Sequence, residues 1–293
     1  MNQRDRFDNE IIHCDPSEKE NSLGMSAKTH FFRSARGRCN YKVKLGLAIL
    51  VLGLGFDGNY SIQAQVPSPT KQLLVAIAPD WNSHQATMQC YQRESERAAW
   101  KPAFPNSWPV LLGRNGLAWG RGIFTPPADG KTGKIEKDWR APAGLFKLGS
   151  VYGYQPAPPD GTRWPYVQVG AYDAWIDDPK LPHYNEHVRV DAAHVPDWFE
   201  GQKMRLGDKA YRWLIEIQHN TDPAQPGYGS AIFFHVRRGP DRPTAGCTSM
   251  AVEDLEAVIR WLRPEAKPCY VLLPQQEFER LRDSWKLPWT AGK

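Results

Sequence analysis

Ala231-Ile232-Phe233-Phe234-His235-Val236 is a six-residue run with one polar side chain. Its apolar residues come in succession rather than in alternation, which reads as a central strand covered on both faces. The histidine therefore sits at the end of a strand that enters the core. Upstream, Arg212–Gln218 reads as a second strand, and the loop between the two carries Pro223, Pro226, Gly227 and Gly229. Downstream, a polar, proline-containing loop from Arg237 to Pro243 leads to Thr244-Ala245-Gly246-Cys247. Val252, Leu255, Ile259 and Leu262 then fall at helical spacing, and Pro264 stops that helix. Cys269–Leu273 reads as another strand, and Phe278, Leu281 and Trp285 as a short terminal helix.

The pattern continues toward the amino terminus. Leu73–Ala78 is a compact apolar run, and Thr87–Arg93 can pair with it as a hairpin. Between 100 and 170 the chain is cut by turn signals such as Thr125-Pro126-Pro127, Asp129-Gly130 and Pro156–Gly161. Short apolar pieces lie among them at Val110–Leu112, Leu145–Leu148 and Tyr166–Val169. Short strands between turns predict a mostly β fold, a sandwich or barrel with a few short helices. Aromatics at 12%, with 12 Trp and 25 Pro, favour such a fold over a helical bundle. The rest of the composition is ordinary for a globular chain of 293 residues.

Residues 1–64 read as a leader. Arg33, Arg36, Arg38, Lys42 and Lys44 precede a 12-residue uncharged apolar run, Leu45–Phe56, and Ser61-Ile62-Gln63-Ala64 follows. A bilayer span needs about 20 residues, so basic, then apolar, then small is the layout of a signal peptide rather than of a lasting anchor. A start at Met25 would bring the basic segment to its usual place. The expectation is an exported protein of the periplasm or cell wall, with one domain from 65 to 293 and no stable membrane span after cleavage. The leader holds 9 of the 37 basic and 7 of the 32 acidic residues, which leaves the remainder at +3. That charge is too mild and too scattered for a nucleic-acid partner.

Export leaves Cys90, Cys247 and Cys269 in the mature chain, an odd count in an oxidising compartment. One economical arrangement is a Cys90–Cys269 disulfide with Cys247 free; three unpaired thiols is the other. Cys247 follows Gly246 and stands twelve residues after His235. The thiolate is the nucleophile, and a helix starting just after Cys247 would stabilise it. Gly246 permits a close backbone approach, and the N–H groups of Gly246 and Cys247 could hold a developing oxyanion. His235 would take the thiol proton and return it to a leaving amine. Composition alone leaves His84, His183, His187, His194 and His219 as rival bases, and no His/Cys/Asp spacing suggests zinc.

Thr244, Gly246 and Cys247, with His235 upstream, resemble the catalytic motif of the L,D-transpeptidases: a histidine, a loop, then Ser/Thr-His-Gly-Cys. The family's second histidine is Ala245 here, and its Arg or Asn two after the cysteine is Ser249. Ser230–His235 and Thr244–Cys247 fit a divergent branch with Ser-Ala-Ile-Phe-x-His and Thr-Ala-Gly-Cys. Lys137–Phe146 resembles the family's Thr-Pro-x-Gly-x-Phe turn. Trp175-Ile176-Asp177-Asp178-Pro179 and Tyr184-Asn185 resemble the branch as well. The resemblance covers about 105–275 and implies an L,D-transpeptidase-like β domain that forms a Cys247 thioester on peptidoglycan stem peptides. Thr244 would support the nucleophile, a backbone carbonyl would orient His235, and no metal or cofactor would be needed.

Other readings stay open. Water in place of an acceptor amine would make the same site an L,D-carboxypeptidase or a peptidase that releases wall proteins. A papain-like peptidase would place Cys before His, the reverse of the order here. A wall-binding module could use the aromatics to stack on sugars, but has no need of Gly246-Cys247. Arg237, Arg238 and Arg242 could meet stem carboxylates or simply be a solvated loop.

Overall fold

The computed structural model describes residues 65–124, 132–205 and 207–289. The leader, the start at Met25, and the turns at Thr125-Pro126-Pro127 and Asp129-Gly130 lie outside the described residues.

The described chain opens with the expected hairpin, β1 (Gln72–Ala78) and β2 (Gln85–Gln92). Three short strands follow: β3 (Lys101–Pro102), β4 (Trp108–Leu111) and β5 (Leu117–Trp119). The long β6 (Ala141–Gly153) leads into an excursion of β7 (Tyr166–Gln168), β8 (Asp173–Trp175), β9 (His187–Arg189) and one helical turn, α1 (Phe199–Gln202). The chain then returns through β10 (Trp213–Ile217), β11 (Phe233–Val236) and β12 (Thr248–Met250). It ends with α2 (Val252–Trp261), β13 (Cys269–Pro274) and α3 (Gln275–Trp285).

The sheet closes on itself. In order, β1, β13, β6, β10, β11, β12, β4 and β2 are each paired with the next, and β2 pairs back to β1. The result is an eight-stranded barrel-like ring, so the mostly β expectation resolves to a barrel rather than an open sandwich. Closure satisfies the backbone groups that an open edge would leave unpaired. At eight strands the interior is just wide enough for side chains to fill it. Phe146, Phe234 and Tyr270 do so, with the Phe234 and Tyr270 rings 4.6 Å apart at their centroids. Tyr270 Oη also meets Thr248 Oγ1 at 3.0 Å, which joins opposite walls of the barrel.

β11 is apolar apart from His235 because both of its faces are covered, each by a different layer. Phe234 turns into the barrel, and Phe233 turns outward beneath the excursion. There it packs with Tyr152, Trp175, Met204 and Leu214. The Trp175 and Phe233 rings stand 4.7 Å apart and nearly perpendicular. Of the 12 tryptophans only Trp289 is largely exposed, so these aromatics serve packing.

Cys90, Cys247 and Cys269 are all free, which overturns the Cys90–Cys269 disulfide. β1 lies between the two strands, with Leu74 opposite Cys90 and Leu73 opposite Cys269. Successive side chains alternate between faces, so the two cysteines point to opposite sides of the sheet from strands that are not neighbours. Among the described residues no helix is long and apolar enough to cross a membrane.

Candidate active site

His235 is the penultimate residue of β11, and Cys247 immediately precedes β12. The two strands are parallel, with Phe234 opposite Thr248 and His235 opposite Ser249. Cys247 therefore lies one step before Thr248, beside Phe233. With a period of two, His235 and Cys247 share the outer face and are diagonal neighbours. A twelve-residue sequence separation has been folded into adjacent positions on one face.

His235 is buried, at 3% exposure. Its Nδ1 lies 2.9 Å from the backbone oxygen of Val236. A carbonyl can only accept, so Nδ1 carries the hydrogen and Nε2 keeps its lone pair. Tyr211 stands edge-on to the ring at 5.7 Å. Burial pushes the imidazole down to about 4, and the Arg238 charge adds to this against the Val236 bond and Asp208. His235 is thus neutral at pH 7.

The Cys247 side chain is only partly exposed. The Phe233 N–H donates to Sγ at 3.4 Å, and the thiol donates to the Ala231 carbonyl at 3.4 Å. Burial raises the thiol above its ordinary value, while the Phe233 N–H, Arg238 and Lys134 pull it back. The resting pair is therefore a neutral thiol beside a neutral imidazole. The expected helix is not at hand: β12 follows Cys247 directly, and α2 begins only at Val252. Helix-end electrostatics fade within a turn, so the charges named here take that place.

Thr244 shapes the turn. Its N–H donates to Leu112 O at 2.8 Å and its carbonyl accepts from Arg114 N at 3.0 Å, which fastens the turn to the end of β4. Its hydroxyl donates to Cys247 O at 2.6 Å and accepts the Gly246 N–H at 3.0 Å. The Gly246 amide is therefore occupied within the turn, and the Cys247 amide is the one left to consider as an oxyanion donor. Gly246 itself has φ +149°, and a β-carbon on it would stand 3.0 Å from Arg140 O. Glycine is required there for backbone conformation and for space. Ala245 is exposed at the turn's apex, whereas Ser249 is buried opposite Leu111 and its hydroxyl has no partner. By the same register Ser249 shares the outer face with His235 and Cys247, but beneath the surface.

Four of the five rival histidines are engaged elsewhere. His183 pairs with Glu186, His194 with Asp191, and His187 with Asp173. His219 is buried with both ring nitrogens used: Nδ1 accepts from Arg121 N and Nε2 donates to Tyr228 O. His84 lies in the turn just before β2. Arg238 is tied to Asp208 at 2.7 Å and lies over Tyr211, so it is not a free loop cation. Among the described residues no three His, Cys, Asp or Glu side chains are grouped so as to hold a metal ion. A cleft of about 570 Å³ lined by Arg121, Phe124, Lys147, Asn220 and Asp222 shares no residue with the Cys247 turn.

Two features escaped the sequence reading. Ala231, whose carbonyl takes the thiol, has φ +54°, unfavourable for alanine. Asn185 holds it there: Oδ1 accepts the Ala231 N–H at 2.9 Å and the Trp175 indole N–H at 3.1 Å. Its Nδ2 donates to the carbonyls of His219 and Asn220, both at 2.9 Å. One buried amide thus joins the excursion to the loop that leads into β11. The other feature is Lys134, buried beside Gly246. Nothing in a lone Asn or Lys predicts these places, although Trp175 and Tyr184-Asn185 had been singled out by resemblance.

A family model described as the L,D-transpeptidase catalytic domain, YkuD, matches residues 80–271. The match takes in the first hairpin's second strand, the excursion, β11 and the Cys247 turn. No curated protein and no solved structure matches. Because the matched segment is well over half of the chain, the protein belongs to the YkuD L,D-transpeptidase catalytic-domain family.

Proposed function

We propose that this chain is an exported cysteine acyltransferase, an L,D-transpeptidase that joins peptidoglycan stem peptides through a Cys247 thioester. The observation that carries the reading is the placement of His235 and Cys247 on one face of neighbouring strands, with Nδ1 pinned and Nε2 left basic.

In the first half-reaction His235 Nε2 takes the proton from Cys247 as Sγ attacks the carbonyl carbon that follows the L-centre of the donor stem's third residue. The C–S bond forms and the carbonyl electrons move to oxygen, where the Cys247 N–H can receive them. As the oxyanion collapses, the C–N bond to the terminal D-Ala breaks, and the imidazolium gives its proton to the departing amine. In the second half-reaction an acceptor amine attacks the thioester and loses its proton to His235. Cys247 then leaves and is reprotonated, which yields a 3–3 cross-link. Starting from a neutral pair, one proton moves each way in each half-reaction. The basic, apolar and small segments of residues 1–64 support export to the periplasm or cell wall.

Purified protein and Cys247→Ala would be incubated with disaccharide-tetrapeptide and the products read by intact mass. A dimer lacking one D-Ala, absent with the variant, is the expected result. A shortened monomer without dimer, again dependent on Cys247, would make the enzyme an L,D-carboxypeptidase. Identical products from both proteins would end the reading. His235→Asn is expected to lose about 10²–10⁴-fold in turnover.

A further inference from the structure

Lys134 is buried, at 4% exposure, and the chemistry above makes no use of it. Its ammonium lies 2.7 Å from Asp138 Oδ1. The same carboxylate accepts the N–H groups of Ile135 at 3.0 Å and Arg140 at 2.9 Å. Asp138 is thus fixed by the backbone of the loop before β6, and its charge is spread over three donors. An ammonium has three N–H bonds, and Asp138 takes one.

The lysine lies between two glycines from different loops. A β-carbon on Gly229 would stand 2.9 Å from Lys134 Cε, and one on Gly246 would stand 3.6 Å from Nζ. Gly229 and Gly246 both have positive φ, so backbone conformation and space alike reserve these positions for glycine. A further side-chain charge near the lysine is Glu136, which receives the Tyr184 hydroxyl, and whose burial raises its carboxyl against the Lys134 charge. His219 is neutral, held down to about 3 by burial and by the Lys134 charge.

The turn from Thr244 to Ser249 has no charged side chain of its own. Around Cys247 the remaining groups are neutral His235, half-buried Tyr211, and Arg238, whose charge is shared with Asp208. Burying an ammonium is costly, and a carboxylate partner offsets that cost without explaining why the charge sits beside a nucleophile. We propose that Lys134 is a positioning residue for Cys247: its ammonium, threaded between Gly229 and Gly246, stabilises the thiolate as it forms. The proposal rests on Cys247 being the nucleophile.

The test is alkylation of Cys247 by iodoacetamide in the full chain from pH 6 to pH 11, read from the mass of the tryptic peptide that contains it. Lys134→Gln removes the charge and keeps a hydrogen bond to Asp138, so it is the primary variant; Lys134→Met is a harsher second one. Both are expected to move the midpoint of the rate profile upward, with alkylation about tenfold slower at pH 8, the scale of one unit charge a few ångströms away. Lys134→Arg should restore most of the rate, and Asp138→Asn should move the midpoint the opposite way, which a purely structural role would not do. An unchanged midpoint in folded Lys134→Gln, checked by near-UV circular dichroism, overturns the proposal even if Cys247-dependent cross-linking is found. A shifted midpoint without any cross-linking would keep the lysine's role and remove the transpeptidase reading.

Discussion

At the scale of single residues, the site's protonation state follows from where each group is buried. His235 must be neutral to accept a proton, and burial holds it down to about 4. Activity is therefore expected to persist as the pH falls through the ordinary histidine range and to decline only as it approaches about 4. A kcat/KM profile with its acid limb near 6.5 would contradict a buried neutral base. Gly246 gives a second residue-scale prediction. Gly246→Ala would put a methyl against Arg140 O in a backbone region that alanine avoids. D-Ala release should fall by about 10²-fold, since a displacement of about 1 Å at a nucleophile costs that much. Release within a factor of two of wild type would mean that the turn relaxes freely.

At the scale of elements, the active strands are shaped by connections lying outside them. β11 runs apolar to His235, yet its entry is fixed by Asn185 through Ala231. Asn185→Ala would leave the Ala231 and Trp175 N–H groups and two carbonyls without partners in a buried place. Each such group costs about 1–3 kcal/mol and such costs do not simply add, so a loss of about 2–5 kcal/mol is expected. Urea unfolding with an unchanged m-value and a lower midpoint would show it. The strands and helices around the site were legible because their apolar spacing directly reflects what they bury. β13, α2 and α3 stand where the apolar spacing put them, while β11 begins two residues later than its apolar run, at Phe233. Thr248-Ser249-Met250 is too short to show a period, so the expected helix start after Cys247 does not hold there. Its pairing with β11 and β4 makes it a strand.

At the scale of the whole molecule, closure of the barrel decides which thiols can react. Cys90 and Cys269 are buried, and burial raises both thiols, Cys90 strongly. In the native full chain, a disulfide reagent followed by peptide mass mapping should modify Cys247 and leave Cys90 and Cys269 untouched until denaturant is added. Native modification of either buried cysteine would mean that β1, β2 or β13 opens locally. A bridge between them would require β1 to leave its place between β2 and β13.

The sequence by itself determined the mostly β class, the strand that carries His235, the Gly-Cys pair and the family motif around it. These are local in the chain, and a hydrophobic period or a short motif carries them without reference to distant residues. The tertiary structure alone decided the rest: the closed ring, the free cysteines, the engagement of the Gly246 amide by Thr244, and the approach of Asn185 to Ala231 and of Lys134 to Gly246. Both are far from Cys247 along the chain; Lys134 carries no pattern of its own, and the Tyr184-Asn185 resemblance marks Asn185 without giving its role. Their placement depends on how the excursion and the loop before β6 fold back over the barrel, and single-residue identity holds no record of that path.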